Sequence, residues 1–339
     1  MNEHPFAGFI RALGKGPQGS RALTFDESRT AMRMILAGEV LPVQLGAFLT
    51  LMRVKIETPA ETAGLAAAAR ASLQGRDEID APAVRLDWSA YAGKRRQLPW
   101  FLLAALLLAA HGLPMFMHGT EGYDPERTFV PQALRALGIA PSRSLAAAAE
   151  RIRRRHFAFV ELRDLQPQLH ELLQLKPLIG LRSPVHTVIR MLNPLHAAAS
   201  IQGVFHPHYH VLHQEAARLL GDARCAIVKG DGGESERNPD LPCRVKWMLD
   251  GVARDEEWPP MFDGARHPRD ATMDVRRLAA VWRGDLRDSY AEAAVTGTAA
   301  IALVAIGEAQ DVAEAQRLAQ RLWDRRPIAW LGAPKEAFG

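Results

Sequence analysis

The spacing of apolar positions changes character along the chain. Up to about residue 73 they recur at helical intervals, and two capping boxes mark helix starts: Thr24-Phe25-Asp26-Glu27, and Thr58-Pro59-Ala60-Glu61 with proline at the first helical position. The spacing predicts short amphipathic helices over 28–37 and 43–54. From Val84 onward short apolar runs alternate with longer ones. This predicts strands over 85–88, 115–118 and 157–162 with helices over 98–111 and 129–137 between them, the order of a parallel sheet wrapped by helices. Further strands are expected over 224–229 and 243–248, and closing helices over 296–309 and 312–324. The expected fold is α/β: a helical domain over 1–73, with part of 165–192 packed on it, and a larger domain over 74–339 with a mostly parallel central sheet. There is no internal repeat, low-complexity tract or long linker.

Composition narrows the function classes. With 339 residues, 48% hydrophobic and 24% charged, the chain can bury a substantial core. The net charge is only +4, yet basic residues are clustered, and clusters decide anion binding more than totals do. Two cysteines, Cys225 and Cys243, supply neither a disulfide framework nor a Cys-x-x-Cys zinc pair, so a reducing cytoplasm is expected. Met1-Asn2-Glu3-His4-Pro5 lacks the charged start and apolar run of a signal peptide. The run over 100–110 is very apolar but too short to span a bilayer, so it is read as a buried core helix and no membrane partner is expected.

Candidate chemistry concentrates at Asp87-Trp88-Ser89-Ala90-Tyr91-Ala92-Gly93-Lys94-Arg95-Arg96, between a predicted strand and a predicted helix, where phosphate-cradling loops sit. Such loops need small residues so that backbone N–H groups approach the phosphate. Here Tyr91 obstructs that approach, Gly93 alone is fully permissive, and Lys94, Arg95 and Arg96 add positive charge. A denser basic run, Arg151-Ile152-Arg153-Arg154-Arg155-His156, suits phosphate binding, although a helix C-terminus also favours cations. Arg182 and Arg190, with His186 midway, share one face if that stretch is helical. His206-Pro207-His208-Tyr209-His210 with His213 has no nearby Cys or Asp to complete a metal site, and Gly230-Asp231-Gly232-Gly233-Glu234 reads as a tight loop.

Several of these stretches, in order, resemble the anthranilate phosphoribosyltransferase family, whose members transfer ribose phosphate from phosphoribosyl pyrophosphate (PRPP). Leu49-Thr50-Leu51-Met52-Arg53-Val54-Lys55 through Glu61-Thr62-Ala63-Gly64-Leu65 is similar to its N-terminal dimerisation helices. Met117-His118-Gly119-Thr120 stands where the family has Lys-His-Gly-Asn. Gly180-Leu181-Arg182-Ser183 with Asn193-Pro194 matches Gly-x-Arg-Thr and Asn-Pro, and Gly203-Val204-Phe205-His206-Pro207 resembles Gly-Val-Tyr-x-Pro. The resemblance spans roughly residues 20 to 325 and implies a nucleoside phosphorylase/phosphoribosyltransferase-like fold.

The departures from that pattern shape the functional expectation. Ala90-Tyr91-Ala92-Gly93-Lys94 replaces the PRPP loop Gly-Thr-Gly-Gly-Asp, and Trp100-Phe101-Leu102-Leu103 replaces the phosphate- and metal-holding Asn-Ile-Ser-Thr. The Lys of Lys-His-Gly-Asn is Met117, and the metal-binding Asp-Glu pair falls on Glu234-Ser235, one carboxylate short of what magnesium pyrophosphate needs, unless Glu236 or Asp231 compensates. Ala90, Tyr91, Gly93, His118, Gly119 and Glu234 are therefore expected to be a vestigial substrate site, with no catalytic residue, metal or cofactor. The expected function is sequence-nonspecific binding of nucleic acid, single-stranded DNA or RNA or a duplex, by a homodimer, as in the divergent non-catalytic branch of the family. The expected contacts are Lys94, Arg95, Arg96, Arg151, Arg153, Arg154, Arg155, Lys176, Arg182, Arg190 and Lys229. Trp88, Tyr91, Trp100, Phe205 and Tyr209 are candidate base-stacking rings, of which Trp100 and Phe205 are assigned to the core. The alternative is an active phosphoribosyltransferase using PRPP and magnesium on anthranilate or an altered acceptor. A weaker third reading is an assembly partner whose basic patch meets an acidic protein.

Overall fold

The computed structural model describes residues 3–16, 18–73, 79–80, 82–122, 124–264 and 266–331. The expected domain boundary after residue 73 meets the segment 74–78, outside the described residues. Among the described residues seven strands form one sheet: β1 (Leu86–Ala90), β2 (Met115–Gly119), β3 (Phe157–Glu161), β4 (Ala199–Val204), β5 (Cys225–Lys229), β6 (Cys243–Leu249) and β7 (Val252–Trp258). Their order is β3-β2-β1-β4-β5-β6-β7, parallel from β3 to β5 and antiparallel for β6 and β7.

Strand alternation divides the interior in two. Leu86, Trp88, Ala90, Met115, Met117, Phe157 and Phe159 point to one face, which is covered by the helices Trp100–Ala110 and Ser289–Ala305. The Trp100–Ala110 helix is apolar all round and buried from Trp100 through Ala109, as a helix without a polar face must be. Phe116, Ala158 and Val160 face the other way, into a second core shared with the N-terminal helices and with Leu169, Val185 and Ile189. Both capping boxes form, at Thr24 and Thr58. The Pro59–Ala71 helix packs so closely on the Phe25–Leu36 helix that a Cβ on Gly64 would lie 2.2 Å from the Phe25 carbonyl oxygen. Among the described residues, no helix is long and apolar enough to cross a membrane.

Several expected elements move. β1 runs on to Ala90, so residues 87–90 are strand and the loop begins at Tyr91. β4 and β7 were not expected. β4 is built from Ala, Ser and Gly with a glutamine and two β-branched residues, and β7 is an acidic, largely exposed edge strand without apolar alternation. The Ser289–Ala305 helix starts seven residues before the expected 296, because its Ala-rich N-terminal half lies in the core. Within the chain's own core Ala63, Ala66, Ala68 and Ala69 are already buried, whereas Val43 and Val54 are 76% and 72% exposed.

Candidate anion-binding cleft

The cleft opens at the C-terminal ends of β1, β2, β4 and β5, where an open parallel sheet presents loops to ligands. After β1 the chain turns sharply at Gly93, at φ +68° with the Phe129 ring 2.8 Å from where a Cβ would sit, so glycine is required there twice over. Opposite lies the loop between β5 and β6. A Cβ on Gly203 would come within 2.4 Å of Glu234 and Ser235 backbone atoms, so the missing side chain lets that loop lie against the end of β4.

This close approach puts Glu234 onto the turn after β1. Its Oε1 accepts the backbone N–H groups of Ala92 at 2.7 Å and Gly93 at 2.6 Å. Two adjacent amides pointing at one anion are what a phosphate loop offers its ligand, and here the chain's own carboxylate takes them. Burial pushes the Glu234 carboxyl up to about 6, against the lowering effects of the Gly93 amide, Arg190, the Ala92 amide and Lys94. Two residues on, buried Glu236 pairs with Lys94 (Nζ to Oε1, 2.7 Å) and accepts from Phe101 N–H at 2.8 Å in the first turn of the Trp100–Ala110 helix. The donors at that helix N-terminus are therefore also met by a protein carboxylate. Trp88 donates its indole N–H to Ser235 Oγ at 2.7 Å. Tyr91 fills the space beside the turn, its Oη 2.6 Å from His118 Nδ1, and His118 Nε2 lies 3.2 Å from Asp87 Oδ2.

Arginines surround the remaining space. Arg127 donates to the carbonyls of Ala92 at 2.9 Å and Gly93 at 3.1 Å and pairs with Asp124. Arg53 donates to Tyr209 Oη, and Arg190 to the His186 carbonyl. One hollow of about 460 Å³ holds Lys176, Arg127, Arg182 and Arg190 with Glu121 and Asp124. It adjoins a second of about 350 Å³ lined by Arg53, Arg127, Arg182 and Arg190, with no carboxylate lining it among the described residues. Burial lowers the Arg182 pKa, and the neighbouring charges of Arg127 and Arg53 lower it further. Burial and then Arg190 and Arg182 push His186 down to about 3, so it is neutral at physiological pH. Crowded like charges of this kind favour an anion between them.

The structure sorts the expected site residues. Lys176, Arg182 and Arg190 meet in the cleft; Arg182, His186 and Arg190 do so although only Val185–Val188 and the Ile189–Met191 turn are helical. Arg95 and Arg96 are exposed, Arg95 at 3.7 Å from Glu126, but Lys94 is 2% exposed and is corrected to a core ion-pair partner of Glu236. The run at Arg151, Arg153, Arg154 and Arg155 lies outside the cleft. It ends the Leu145–Arg155 helix and leads into β3, at the opposite end of the sheet from the cleft. There Arg153 and Arg154 pair with Glu150, Arg153 also with Asp80, and Arg155 stacks on Trp330 with its guanidinium 5.0 Å from the ring centroid. Lys229, at the end of β5, lines a separate hollow with Arg96. Trp88, Tyr91 and Trp100 are buried, whereas Phe205, expected in the core, is 53% exposed. Ala90 and Gly119 end paired strands, with the place of a Gly119 Cβ 2.1 Å from the Ala90 carbonyl oxygen. His210 and His213 are buried and bonded to the Ile227 carbonyl and to Gln202, so two of the clustered histidines are committed within the core. Arg53 and Arg127 escaped sequence reasoning because neither stands in a basic run; only tertiary structure brings them to the cleft.

The carboxylates of the loop between β5 and β6 do not fit a magnesium pyrophosphate. Glu234 is committed to two amides, Glu236 to a buried lysine and a helix amide, and Asp240 to the backbone N–H and ring of His267, leaving Asp231.

Comparison with known proteins agrees with the fold. The sequence profile of the glycosyl transferase family helical bundle domain matches residues 7–73. The anthranilate phosphoribosyltransferase of Methylobacterium radiotolerans is 30% identical over 314 residues, covering 89% of this chain and 88% of that protein. That of Beijerinckia indica is 28% identical over 316 residues, covering 91% and 90%. The crystal structure of anthranilate phosphoribosyltransferase from Thermus thermophilus superposes with a TM-score of 0.75 at 24% identity, covering 96% of this chain and 99% of that one. The chain belongs to the anthranilate phosphoribosyltransferase family.

Proposed function

We propose that this member of the family binds the phosphate backbone of nucleic acid, single-stranded DNA or RNA or a duplex, in the arginine-lined cleft, and that it does not transfer ribose phosphate from PRPP. The observation that carries this reading is the exchange of partners in the cleft. The loop amides that would hold a phosphate are held by Glu234, while Arg53, Arg127, Arg182 and Arg190 line a hollow with no carboxylate among its described lining residues, Glu57 lying behind Tyr209. A sugar-phosphate strand suits this arrangement because it needs cations along its path and does not need the loop amides. The same reading takes the protein as a homodimer through the Pro42–Lys55 helix, whose Val43 and Val54 lie open to solvent with Leu41 and Ile56 beside them.

The second reading, an active phosphoribosyltransferase with magnesium, is the one the named relatives favour when taken by themselves, and Arg182, His118 and Gly119 are kept. Against it stand the occupied amides, the Tyr91 ring and the committed carboxylates. One preparation decides between them. Turnover of PRPP with anthranilate and magnesium, followed by pyrophosphate release, should stay at the blank, while a labelled oligothymidylate should bind. Turnover well above the blank would establish the transferase and end the first reading.

A further inference from the structure

Beyond the arginine hollow, across Phe205 and His206, lies another of about 600 Å³ to which both residues also contribute. Its cations come from three separate parts of the chain: Arg96 from the loop after β1, Lys229 from the end of β5, and Arg266 and Arg269 from the segment after β7. All four are exposed, and none of them forms an ion pair among the described residues. The carboxylates facing them are Asp231 and Asp240, and Asp240 is engaged by His267, through its backbone N–H at 2.9 Å and its ring at 2.7 Å. The ridge between the hollows carries Phe205, the one exposed Phe, Tyr or Trp side chain among the described residues, with the His206 ring edge-on at 5.0 Å. An apolar ring held in water between two cationic hollows has an evident use if a strand crosses it: phosphates lie on either side and a base covers the ring.

Building on the proposed nucleic-acid function, we infer that a single strand spans both hollows, with a base stacked on Phe205 and its onward phosphates held by Arg96, Lys229, Arg266 and Arg269. A free phosphate ion would use one hollow and leave the ring bare. An acidic peptide would satisfy the cations without stacking.

The test uses the full chain and an oligothymidylate carrying one central 2-aminopurine, with binding read by anisotropy and stacking by quenching. Phe205→Leu should weaken binding roughly tenfold and abolish the quenching with no change in salt dependence, and Phe205→Tyr should restore both. The double variant Arg266→Ala/Arg269→Ala should lower the log–log salt slope by about 1.4, about 0.7 for each lost phosphate contact, and leave a trinucleotide bound as by the wild type. All these side chains are exposed, so unchanged thermal melting is expected and separates a binding effect from misfolding. If the wild type binds the strand but all variants match it in affinity, slope and quenching, the strand does not cross Phe205, and this inference is overturned while the proposed function stands. Competition by polyglutamate as effective as by unlabelled strand would equally overturn the stacking. No binding of oligothymidylate by the wild type would overturn the proposed function and this inference together.

Discussion

At the residue scale, Glu234 behaves as a bound anion supplied by the chain itself. Its carboxyl titrates near 6 rather than 4.5, so between those values the folded state holds more protons than the unfolded state. The Glu234 contribution to stability is therefore greatest below the ordinary glutamate range and is lost as pH rises through about 6, by about 2 kcal/mol in all. Denaturation midpoints of wild type and Glu234→Gln measured from pH 4 to 8 should show that decline in the wild type relative to the variant; parallel curves would refute the assignment. Lys94 and Glu236 make a second residue-scale case. Removing one member of a buried pair leaves an uncompensated charge, so Lys94→Ala should cost about 3–5 kcal/mol in urea denaturation, whereas reversing the exposed Arg95 and Arg96 should change stability little. Sequence reasoning placed Lys94 with its exposed neighbours because a basic triplet carries no sign of which member turns inward. Its partner stands 142 residues away. The loop after β1 is more legible: Tyr91 and the single permissive glycine at Gly93 can be read directly, but the seat of Glu234 on the Ala92 and Gly93 amides depends on how closely Gly203 lets the loop between β5 and β6 approach the end of β4.

At the scale of elements, periodicity located most of the parallel sheet and missed β4 and β7. The signals that work for β1, β2 and β3 are apolar residues on alternate or successive positions. β4, flanked by covering helices, has small residues or glutamine at four of its six positions, and β7 at the sheet edge has little to bury. The same geometry gives the basic runs different meanings. A helix that leads into a parallel strand ends at the sheet edge away from the ligand loops, so the arginines closing the Leu145–Arg155 helix face away from the cleft and complement the helix dipole. Reversing Arg151 and Arg154 to Glu should leave oligonucleotide affinity within about twofold of wild type, whereas Arg182→Glu should weaken it for all sequences alike. A loss from the first variant as large as from the second, measured by anisotropy at one salt concentration, would move the binding face to the other end of the sheet.

At the scale of the whole molecule, the chain keeps the family scaffold, with Glu234 and Glu236 seated on backbone amides at its cleft. Apolar surface on the Pro42–Lys55 helix should pair with a second copy, giving a mass near twice 37.3 kDa by light scattering, and Val43→Glu/Val54→Glu should return the chain to the monomer. A monomeric wild type at micromolar concentration would remove the dimer from the account. Two copies would carry two cationic clefts on one particle, so long strands should bind more tightly than short ones through effective concentration. The central claim is that the cleft now holds a phosphate backbone by charge, and it is tested most directly by equilibrium binding of a labelled single-stranded oligonucleotide to the wild type across a salt series. Affinity should fall linearly in log–log coordinates, by about 0.7 for each phosphate contacted, with little difference between sequences. An oligonucleotide that fails to bind even at low salt, or one whose affinity does not respond to salt, would contradict it.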